Sequence, residues 1–255
     1  MEDKNQIVPT NSQMPATAMP ELGRGHEDAL EQSDFEIPRA KVVQFTSEEA
    51  TAADEADRIP PGRFINGVSK KEIPPIFIPI FRYKTYTHWN PRKKDDPNYD
   101  PAYDVGALIF STQDRHDPRV TATRIVQNRE GEDVEIDGLA FGPNGEAPLI
   151  TEAFNFLCLF EGQAFPMLLS FQKTSMRAGK ILNTMLLEAG GDMFSNKFKL
   201  VFTQGENNGT KYYIMNVRAQ GKATPEEHAT ALGWFNRFKG QNIEAKVQKE
   251  QTFTE

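Results

Sequence analysis

The fold is decided by residues Thr151–Arg218, which read TEAFNFLCLFEGQAFPMLLSFQKTSMRAGKILNTMLLEAGGDMFSNKFKLVFTQGENNGTKYYIMNVR. Hydrophobic periodicity divides this stretch into apolar segments typical of strands and one amphipathic helix. The predicted elements are, in order, strands at Ala153–Phe160 and Pro166–Lys173, a helix at Met176–Glu188, and strands at Lys197–Thr203 and Lys211–Arg218. The turn sequence GENNG joins the last two strands as a hairpin.

One further strand is predicted upstream, at Ile76–Trp89, which reads IFIPIFRYKTYTHW. Pro79 within it has no N–H to donate, so we expect an edge strand or a bulge at that position. With this strand the order becomes three strands, a helix and two strands. That is the element order of the OB fold, a five-stranded, partly open barrel that often binds oligonucleotides. The predicted fold class is therefore mainly β (α+β), with an OB-like barrel.

Additional elements are predicted around the barrel. A short strand is expected at Ala40–Phe45 and a short acidic helix at Ser47–Asp57. A β-meander is expected as an insertion between the first and second barrel strands, with segments at Val105–Ser111, Val120–Gln127 and Val134–Ala140. Thr224–Glu227 has the sequence of a capping box, so a C-terminal helix is expected to pack against the barrel.

The net charge of −7 is unevenly distributed along the chain. Met1–Arg58 contains 13 acidic and 5 basic side chains, whereas the remaining residues contain 23 acidic and 24 basic ones. Met1–Pro38 is also poor in large apolar residues, so burial cannot offset the entropy of ordering it. The predicted organisation is a disordered acidic arm at 1–39, a folded nucleic-acid-binding domain at 40–240 and a flexible tail at 241–255.

The sequence also predicts the compartment. The first thirty residues lack the apolar core of a signal peptide, and no apolar segment approaches the length of a membrane span. The single cysteine, Cys158, lies within an apolar run and is expected to be a buried, unreactive thiol. We therefore expect a cytoplasmic protein, in the host cytoplasm if the protein is viral, with no membrane partner.

Residue patterns typical of catalysis are missing from the sequence. The four histidines have no metal-ligand spacing, and neither a nucleophile elbow nor a phosphate-binding lysine loop occurs. Asp114, His116 and Asp117 form the tightest acid–histidine group, but they lie in a charged turn. The alternating acids Asp133 and Glu135 fit a solvated strand face. We therefore predict a protein that is not an enzyme and uses no metal or cofactor.

Basic and aromatic residues alternate along several predicted elements. Single-stranded nucleic acid needs aromatic faces for its bases, worth roughly 1–3 kcal/mol each, and a cationic groove for its phosphates. The predicted phosphate contacts are Arg82, Lys84, Lys173, Arg177 and Lys180, and the predicted stacking residues are Tyr83, Tyr86, Trp89 and Phe171. The last hairpin adds Lys197, Lys199, Lys211 and Tyr213. Each residue alone fits a core aromatic or a solvated charge, so the prediction depends on their joint pattern.

Three functions are compatible with this pattern. The first is sequence-tolerant binding of single-stranded DNA without catalysis, and single-stranded RNA fits the same residues. The second is a viral structural or assembly protein that uses its β-barrel for subunit contacts. The third is a metal-dependent DNA-processing enzyme that uses acidic side chains. The missing catalytic motifs favour the first.

Two stretches resemble single-stranded DNA-binding proteins of the bacteriophage OB-fold type. They are LSFQKTSMRAGKILNTML at Leu169–Leu186, and PGRFINGVSKKEI followed by PIFIPIFRYKTYTHW at 61–89. The resemblance extends over the element order of Ile76–Arg218. It implies coating of single strands during DNA replication, recombination or repair. Such proteins often end in an acidic tip that recruits partners, whereas this chain ends in QTFTE. Recruitment of replication proteins would then fall to the acidic arm.

The acidic arm generates a testable prediction. We expect Glu21–Glu36 to compete with nucleic acid for the cationic groove. Deleting Met1–Pro38 should then tighten binding to single strands and steepen its dependence on salt concentration. The measurement is the dissociation constant of a single-stranded oligonucleotide at several salt concentrations. Unchanged affinity after the deletion would show that the arm does not occupy the groove.

Overall fold

The computed structural model describes residues 37–91, 93–96, 98–207 and 209–239. The predicted tail and the predicted arm up to residue 36 therefore lie outside the described residues. The strands are β1 (Arg39–Val42), β2 (Phe64–Asn66), β3 (Ile76–Trp89), β4 (Leu108–Thr112), β5 (Thr123–Gln127), β6 (Asp133–Asp137), β7 (Ile150–Phe160), β8 (Met167–Gln172), β9 (Asn196–Asn207) and β10 (Thr210–Lys222). The helices are α1 (Glu48–Thr51), α2 (Met176–Ala189) and α3 (Pro225–Phe238).

One sheet of eight strands dominates the structure, so the chain is mainly β. Its strand order is β10-β9-β3-β7-β8-β1-β2, and β4 pairs with the far end of β3. The pairs β3–β7, β7–β8, β3–β9 and β9–β10 are antiparallel, whereas β1 runs parallel to β8. Strands β5 and β6 form a separate hairpin. Within the described ranges, each helix is too short or too polar to cross a bilayer.

Both faces of the sheet are apolar, and β7 shows this most clearly. Phe156 and Cys158 point to one face, called here the inner face, where they join a core cluster with residues of α2. Leu157 and Leu159 point to the opposite, outer face, where they join a second cluster with residues of α3. All four side chains are at most 8% exposed. Each face of the sheet must therefore be covered by other parts of the chain.

The inner face is covered because the sheet curls around it. The ring centroids of Phe64 on β2 and Phe202 on β9 lie 5.4 Å apart, although several strands separate them in the sheet order. Helix α2 fills the interior of this half-barrel with Ala178 and Leu182, both almost fully buried. Gly179 permits the close approach, since a Cβ there would lie 2.9 Å from the Cβ of Phe171.

The outer face is covered by α3. Thr224 and Glu227 form the predicted capping box, and the helix buries Ala231, Trp234 and Phe238 against the outer cluster. Ile37 belongs to the same cluster and is 5% exposed. The folded part of the chain therefore includes Ile37, and a truncation that tests the arm should end before it.

The predicted irregularity at Pro79 is a β-bulge in a central strand. The register between β3 and β7 shifts between Pro79 and Phe81, and Pro79 itself pairs with Cys158. Ile78 lies on the outer face before the bulge, and Phe81 lies on that same face after it. The alternation of side chains along β3 is therefore reversed at this point.

The half-barrel is closed by side chains at the free edge of β10. The amide side chain of Gln44 accepts a hydrogen bond from the N–H of Tyr213 at 2.7 Å and donates to its carbonyl oxygen at 3.0 Å. Ser175 Oγ accepts from the N–H of Met215 at 3.1 Å. Phe45 stacks on the Tyr213 ring with centroids 5.6 Å apart. These contacts tie the segment after β1 and the start of α2 to β10.

Two sequence predictions about local structure were wrong. The insertion is not one meander, because β4 joins the main sheet through β3 while β5 and β6 pair only with each other. The predicted helix at Ser47–Asp57 is divided into α1 and a 3-10 turn at Glu55–Asp57. Ser47 Oγ accepts a hydrogen bond from Gln44 N–H at 2.8 Å and does not cap α1.

A buried ion-pair cluster anchors α1 to the sheet. Glu49 Oε1 lies 2.8 Å from Lys41 Nζ of β1 and 2.5 Å from Lys70 Nζ of the turn after β2, and the Glu49 side chain is 4% exposed. Burial alone would raise the pKa of this carboxyl. The two ammonium groups outweigh burial and lower the pKa from 4.5 to about 2.

This cluster predicts acid sensitivity of the fold. Because the folded-state pKa of Glu49 lies below its ordinary value, its contribution is complete above about pH 5 and is lost as the pH falls toward 2. The contribution is on the order of 3 kcal/mol. Chemical denaturation between pH 2 and 7 should show this loss in the wild type and a smaller one in Glu49→Gln. Glu48→Gln, at an exposed neighbouring position, is the matched control. Parallel pH profiles for Glu49→Gln and the wild type would contradict the assignment.

Candidate functional site

Three cations line the solvent face of α2 near its N-terminus. Lys173 lies in the 3-10 turn that leads into the helix, and Arg177 and Lys180 follow at spacings of four and three residues. The three-residue spacing places Arg177 and Lys180 on one face of α2, and Lys173 lies in the turn just before it. All three residues are exposed. The shared helix face of Arg177 and Lys180 could be predicted from the sequence because helical spacing is a local property.

The charges on α2 oppose its helix dipole. A helix N-terminus carries about half a positive charge and is stabilised by acidic residues, yet the first turn of α2 has none. The N-cap Ser175 makes no side-chain cap, because its hydroxyl is bonded to β10. Lys173 has a φ of 50°, in the left-handed region that a lysine rarely adopts. Stability alone does not explain this arrangement.

Two further cations extend the stripe from α2 onto β3. Arg82 Nη1 donates a hydrogen bond to Asn183 Oδ1 of α2 at 2.5 Å, and Asn183 lies one turn beyond Lys180. Lys84 points to the same, inner face of β3, since it pairs in register with Phe154 as Arg82 does with Phe156. We call Lys173, Arg177, Lys180, Arg82 and Lys84 the cationic track.

Most of the cationic track has no charge partner. Within the described ranges, Lys173, Arg177, Lys180 and Arg82 form no ion pair with a carboxylate. Lys84 Nζ lies 2.6 Å from Glu152 Oε1, but both side chains are partly exposed. Such a surface pair is worth about 0–1 kcal/mol, so a phosphate can compete for the lysine.

An aromatic side chain that was not among the predicted stacking residues lies beside the track. The ring of Phe154 is half-buried, with Lys84 Nζ 4.7 Å from its centroid. A Cβ at Gly179 would lie 3.1 Å from Phe154 Cδ2, so the ring packs against the helix where glycine leaves room. No sequence signal distinguishes Phe154 from its buried neighbours on β7. Its exposure depends on how far along the strand the cover by α2 extends, which is a property of the tertiary structure.

Two predicted stacking residues are wrong because they lie in the core. Phe171 is fully buried in the inner cluster, with its ring edge-on to Phe156 at 5.8 Å. Tyr86 is 3% exposed and packs with Phe110 and Ile150 beneath β4. In this conformation neither ring can reach a base.

The remaining predicted aromatics do not adjoin the track. Tyr83 is half-buried on the outer face near Phe81, on the opposite side of β3 from Arg82 and Lys84. Trp89 is half-buried at the end of β3 and pairs with Leu108 of β4. The alternation of the strand therefore places Phe81 and Tyr83 on the opposite face from Arg82 and Lys84, whereas Tyr86 shares the face of the cations but is buried.

The residues of the last hairpin are divided between its two faces. Tyr213 and Lys211 follow the inner-face row, and Tyr213 is held between Phe45 and Gly62, where a Cβ would lie 2.8 Å from its ring. Lys197 and Lys199 alternate with the inward-facing phenylalanines of β9 and so lie on the outer face. Lys197 is paired with Glu227 of α3 at 2.7 Å.

The described part of the chain shows no arrangement of three or more His, Cys, Asp or Glu side chains suited to holding a metal ion. In the turn that contains His116, Asp114 accepts a hydrogen bond from the His116 backbone, and Asp117 pairs with Arg119 at 2.7 Å. Cys158 is fully buried, and burial raises the pKa of its thiol well above the ordinary value. The prediction of a buried cysteine is confirmed.

One comparison with known proteins gives a match. The family model described as "Pam3 phage gp34-like protein" matches residues 4–248. Neither the curated proteins nor the solved structures contain a match to this chain.

The opposition between the track and the helix dipole can be measured. Replacing Arg177 and Lys180 together by glutamine should raise the free energy of unfolding by about 0.5–1 kcal/mol, because it removes a like-charge pair and the unfavourable interaction of Arg177, in the first turn, with the helix dipole. Urea denaturation at low salt is the measurement. The double variant Lys94→Gln/Arg129→Gln, at exposed positions between β3 and β7, is the control and should change little. A loss of stability in the first variant would show that attractive contacts hold these cations.

Proposed function

The chain belongs to the Pam3 phage gp34-like protein family and is therefore a phage protein, and on that premise we propose that it binds single-stranded DNA without catalysis. Binding would be tolerant of sequence and would serve phage DNA replication, recombination or repair. Phosphates would contact the cationic track, and Phe154 would offer an aromatic face beside it.

The observation that carries this proposal is the unneutralised charge at the start of α2. Lys173, Arg177 and Lys180 lie where the helix dipole is positive, and the hydroxyl of Ser175 is engaged elsewhere. A phosphate backbone supplies the negative charge that this terminus lacks, and backbone N–H groups of a first helical turn are good donors to it. The spacing of charges along the helix and onto β3 suits a chain of phosphates better than a single anion.

We also propose that the curled sheet is a variant of the OB fold. Strands β3, β7, β8, β9 and β10 would be its five barrel strands, and α2 lies between the third and the fourth of them. Their antiparallel pairings and the order β10-β9-β3-β7-β8 support this. The third and fifth strands do not pair directly, and Gln44 and Ser175 bridge to β10 at the opening.

The proposed binding surface differs from the one that OB folds commonly use. That surface is the exposed face of the second and third strands. Here α3 covers the corresponding outer face, where Leu157 of β7 and Leu168 of β8 are buried beneath Trp234 and Phe238. This coverage favours the α2 side of the half-barrel as the site of binding.

The acidic arm enters the proposal as a competitor or as a recruiting segment. Its charge is opposite to that of the track, so it could occupy the track when DNA is not bound. The same charge would suit replication proteins with basic surfaces. As a competitor, the arm would be released when DNA binds.

Binding is tested with labelled oligo-dT and the variant Arg177→Gln/Lys180→Gln. We expect the variant to bind roughly tenfold or more weakly, and the slope of log K against log salt to fall by about 1.4, since each lost phosphate contact on a single strand contributes about 0.7. Fluorescence anisotropy at four or more salt concentrations gives both quantities.

The control for this experiment is Lys94→Gln/Arg129→Gln, which removes the same charge outside the track. An equal loss of affinity in the control, or no measurable binding by the wild type, would refute the proposal. Duplex DNA and single-stranded RNA are measured alongside. If the protein binds duplex DNA or single-stranded RNA more tightly than oligo-dT, that nucleic acid, and not single-stranded DNA, is the ligand of the cationic track.

A further inference from the structure

A second charged surface lies on the outer face of the β9–β10 hairpin. Lys199 and Arg218 are directly opposite each other in the register of the two strands, and both are exposed. Cross-strand partners have Cβ atoms about 5 Å apart, so two like charges there are destabilising. Within the part of the chain that the structure describes, neither side chain has an ion-pair or hydrogen-bond partner.

The neighbouring cation on this face, Lys197, is paired, which sets Lys199 and Arg218 apart. Lys197 Nζ lies 2.7 Å from Glu227 Oε1. Helix α3 therefore supplies a carboxylate at one end of the hairpin but leaves the Lys199–Arg218 pair open to solvent. Sequence reasoning missed Arg218, because its position opposite Lys199 follows only from the strand register.

An aromatic ring lies at the other end of the same face. Tyr212 pairs with Gly205, and a Cβ at Gly205 would lie 3.0 Å from ring atoms of Tyr212, so the ring lies across the glycine. Tyr212 is half-buried, and no other described ring stacks on it. Arg218 follows six residues later, about 20 Å along the strand.

Between these ends the described part of the face carries no charged side chain. Ile214, Asn216 and Val201 are half-buried, and Asn216 Nδ2 donates to Thr203 Oγ1 across the strands at 3.1 Å. A stacking ring, an uncharged floor and paired cations in one row are the groups that a short run of nucleotides requires.

This face and the cationic track lie on opposite sides of one edge strand. Ser175 Oγ, at the start of α2, accepts a hydrogen bond from the Met215 N–H at the free edge of β10, so the track begins beside this strand. The C-terminal part of β10, Arg218–Lys222, is exposed and pairs only with β9. A polynucleotide on the track therefore needs to cross only the free edge of β10 to reach Arg218 and Lys199.

We infer that the outer face of the β9–β10 hairpin is a second binding surface for the same single strand, which wraps around the edge of β10. Phosphates contact Lys199 and Arg218, and a base stacks on Tyr212. This inference rests on the proposed function and adds the path that the single-stranded DNA follows over the protein. Binding at both surfaces then requires a longer strand than binding at the track alone.

The test compares two lengths of oligo-dT, one of about 6 and one of about 20 nucleotides, which bracket the usual site of an OB fold at ~4–16. Lys199→Gln/Arg218→Gln should weaken binding of the long strand roughly tenfold and lower its salt slope by about 1.4. The short strand should bind this variant as it binds the wild type. Arg177→Gln/Lys180→Gln should weaken both lengths, and Lys94→Gln/Arg129→Gln neither.

A second measurement addresses Tyr212 directly. Tyr212→Phe keeps a ring and should bind the long strand normally, whereas Tyr212→Leu should bind it several-fold more weakly. An oligonucleotide carrying a photoreactive pyrimidine should crosslink to Tyr212 in the wild type when it is long and not when it is short. Urea denaturation of each variant checks that the hairpin remains folded.

The outcomes separate the two proposals. If no single strand binds the wild type, the proposed function is wrong. If both lengths bind and are weakened by the α2 variant, while the Lys199→Gln/Arg218→Gln variant binds the long strand normally, the proposed function stands and the second surface is refuted. Equal effects of the hairpin variant on both lengths would also refute a path around β10.

Discussion

The constraint on which the rest of the structure depends is that β7 is apolar on both faces. Phe156 and Cys158 need a cover on one side, and Leu157 and Leu159 need one on the other. The curl of the sheet around α2 meets the first need and α3 meets the second. Charged residues are consequently excluded from both covered faces. The exposed cations at the rim of α2 and on the β9–β10 hairpin lie outside the covered areas.

The cations on α2 and on the β9–β10 hairpin are placed where they lower the stability of the fold. A helix gains about 0.3–1 kcal/mol from each charge that agrees with its dipole, whereas α2 carries cations at its positive end. The like charges of Lys199 and Arg218 face each other across two strands. By contrast, the buried carboxylate of Glu49 is paired with Lys41 and Lys70. Both groups of cations lie on exposed surfaces, where a bound polyanion would stabilise the folded state.

Much of the fold could be predicted because its signals are local. Alternation and turn residues predicted the long strands and the last hairpin. Apolar periodicity predicted α2, and the capping box at Thr224 predicted α3. The pairings of β1 with β8 and of β4 with β3 could not be predicted, because long-range pairing leaves little trace in a short window. In the candidate site, helical spacing identified Arg177 and Lys180. Phe171 was misassigned because alternation does not say which face is covered, and Arg218 was missed because only the register places it.

The bulge at Pro79 has a consequence for how this surface could have arisen. A strand without the extra residue would send Arg82 and Lys84 toward α3 and would place Tyr83 beside α2. One inserted or deleted codon in β3 thus exchanges the side chains offered to the two sides of the sheet while leaving the ladder largely intact. In related chains that differ in length by one residue at this point, the same FRYK sequence would direct its side chains to the opposite faces of the sheet. An alignment of these residues therefore shows which face each one occupies only when the number of residues between Ile76 and Arg82 is also compared.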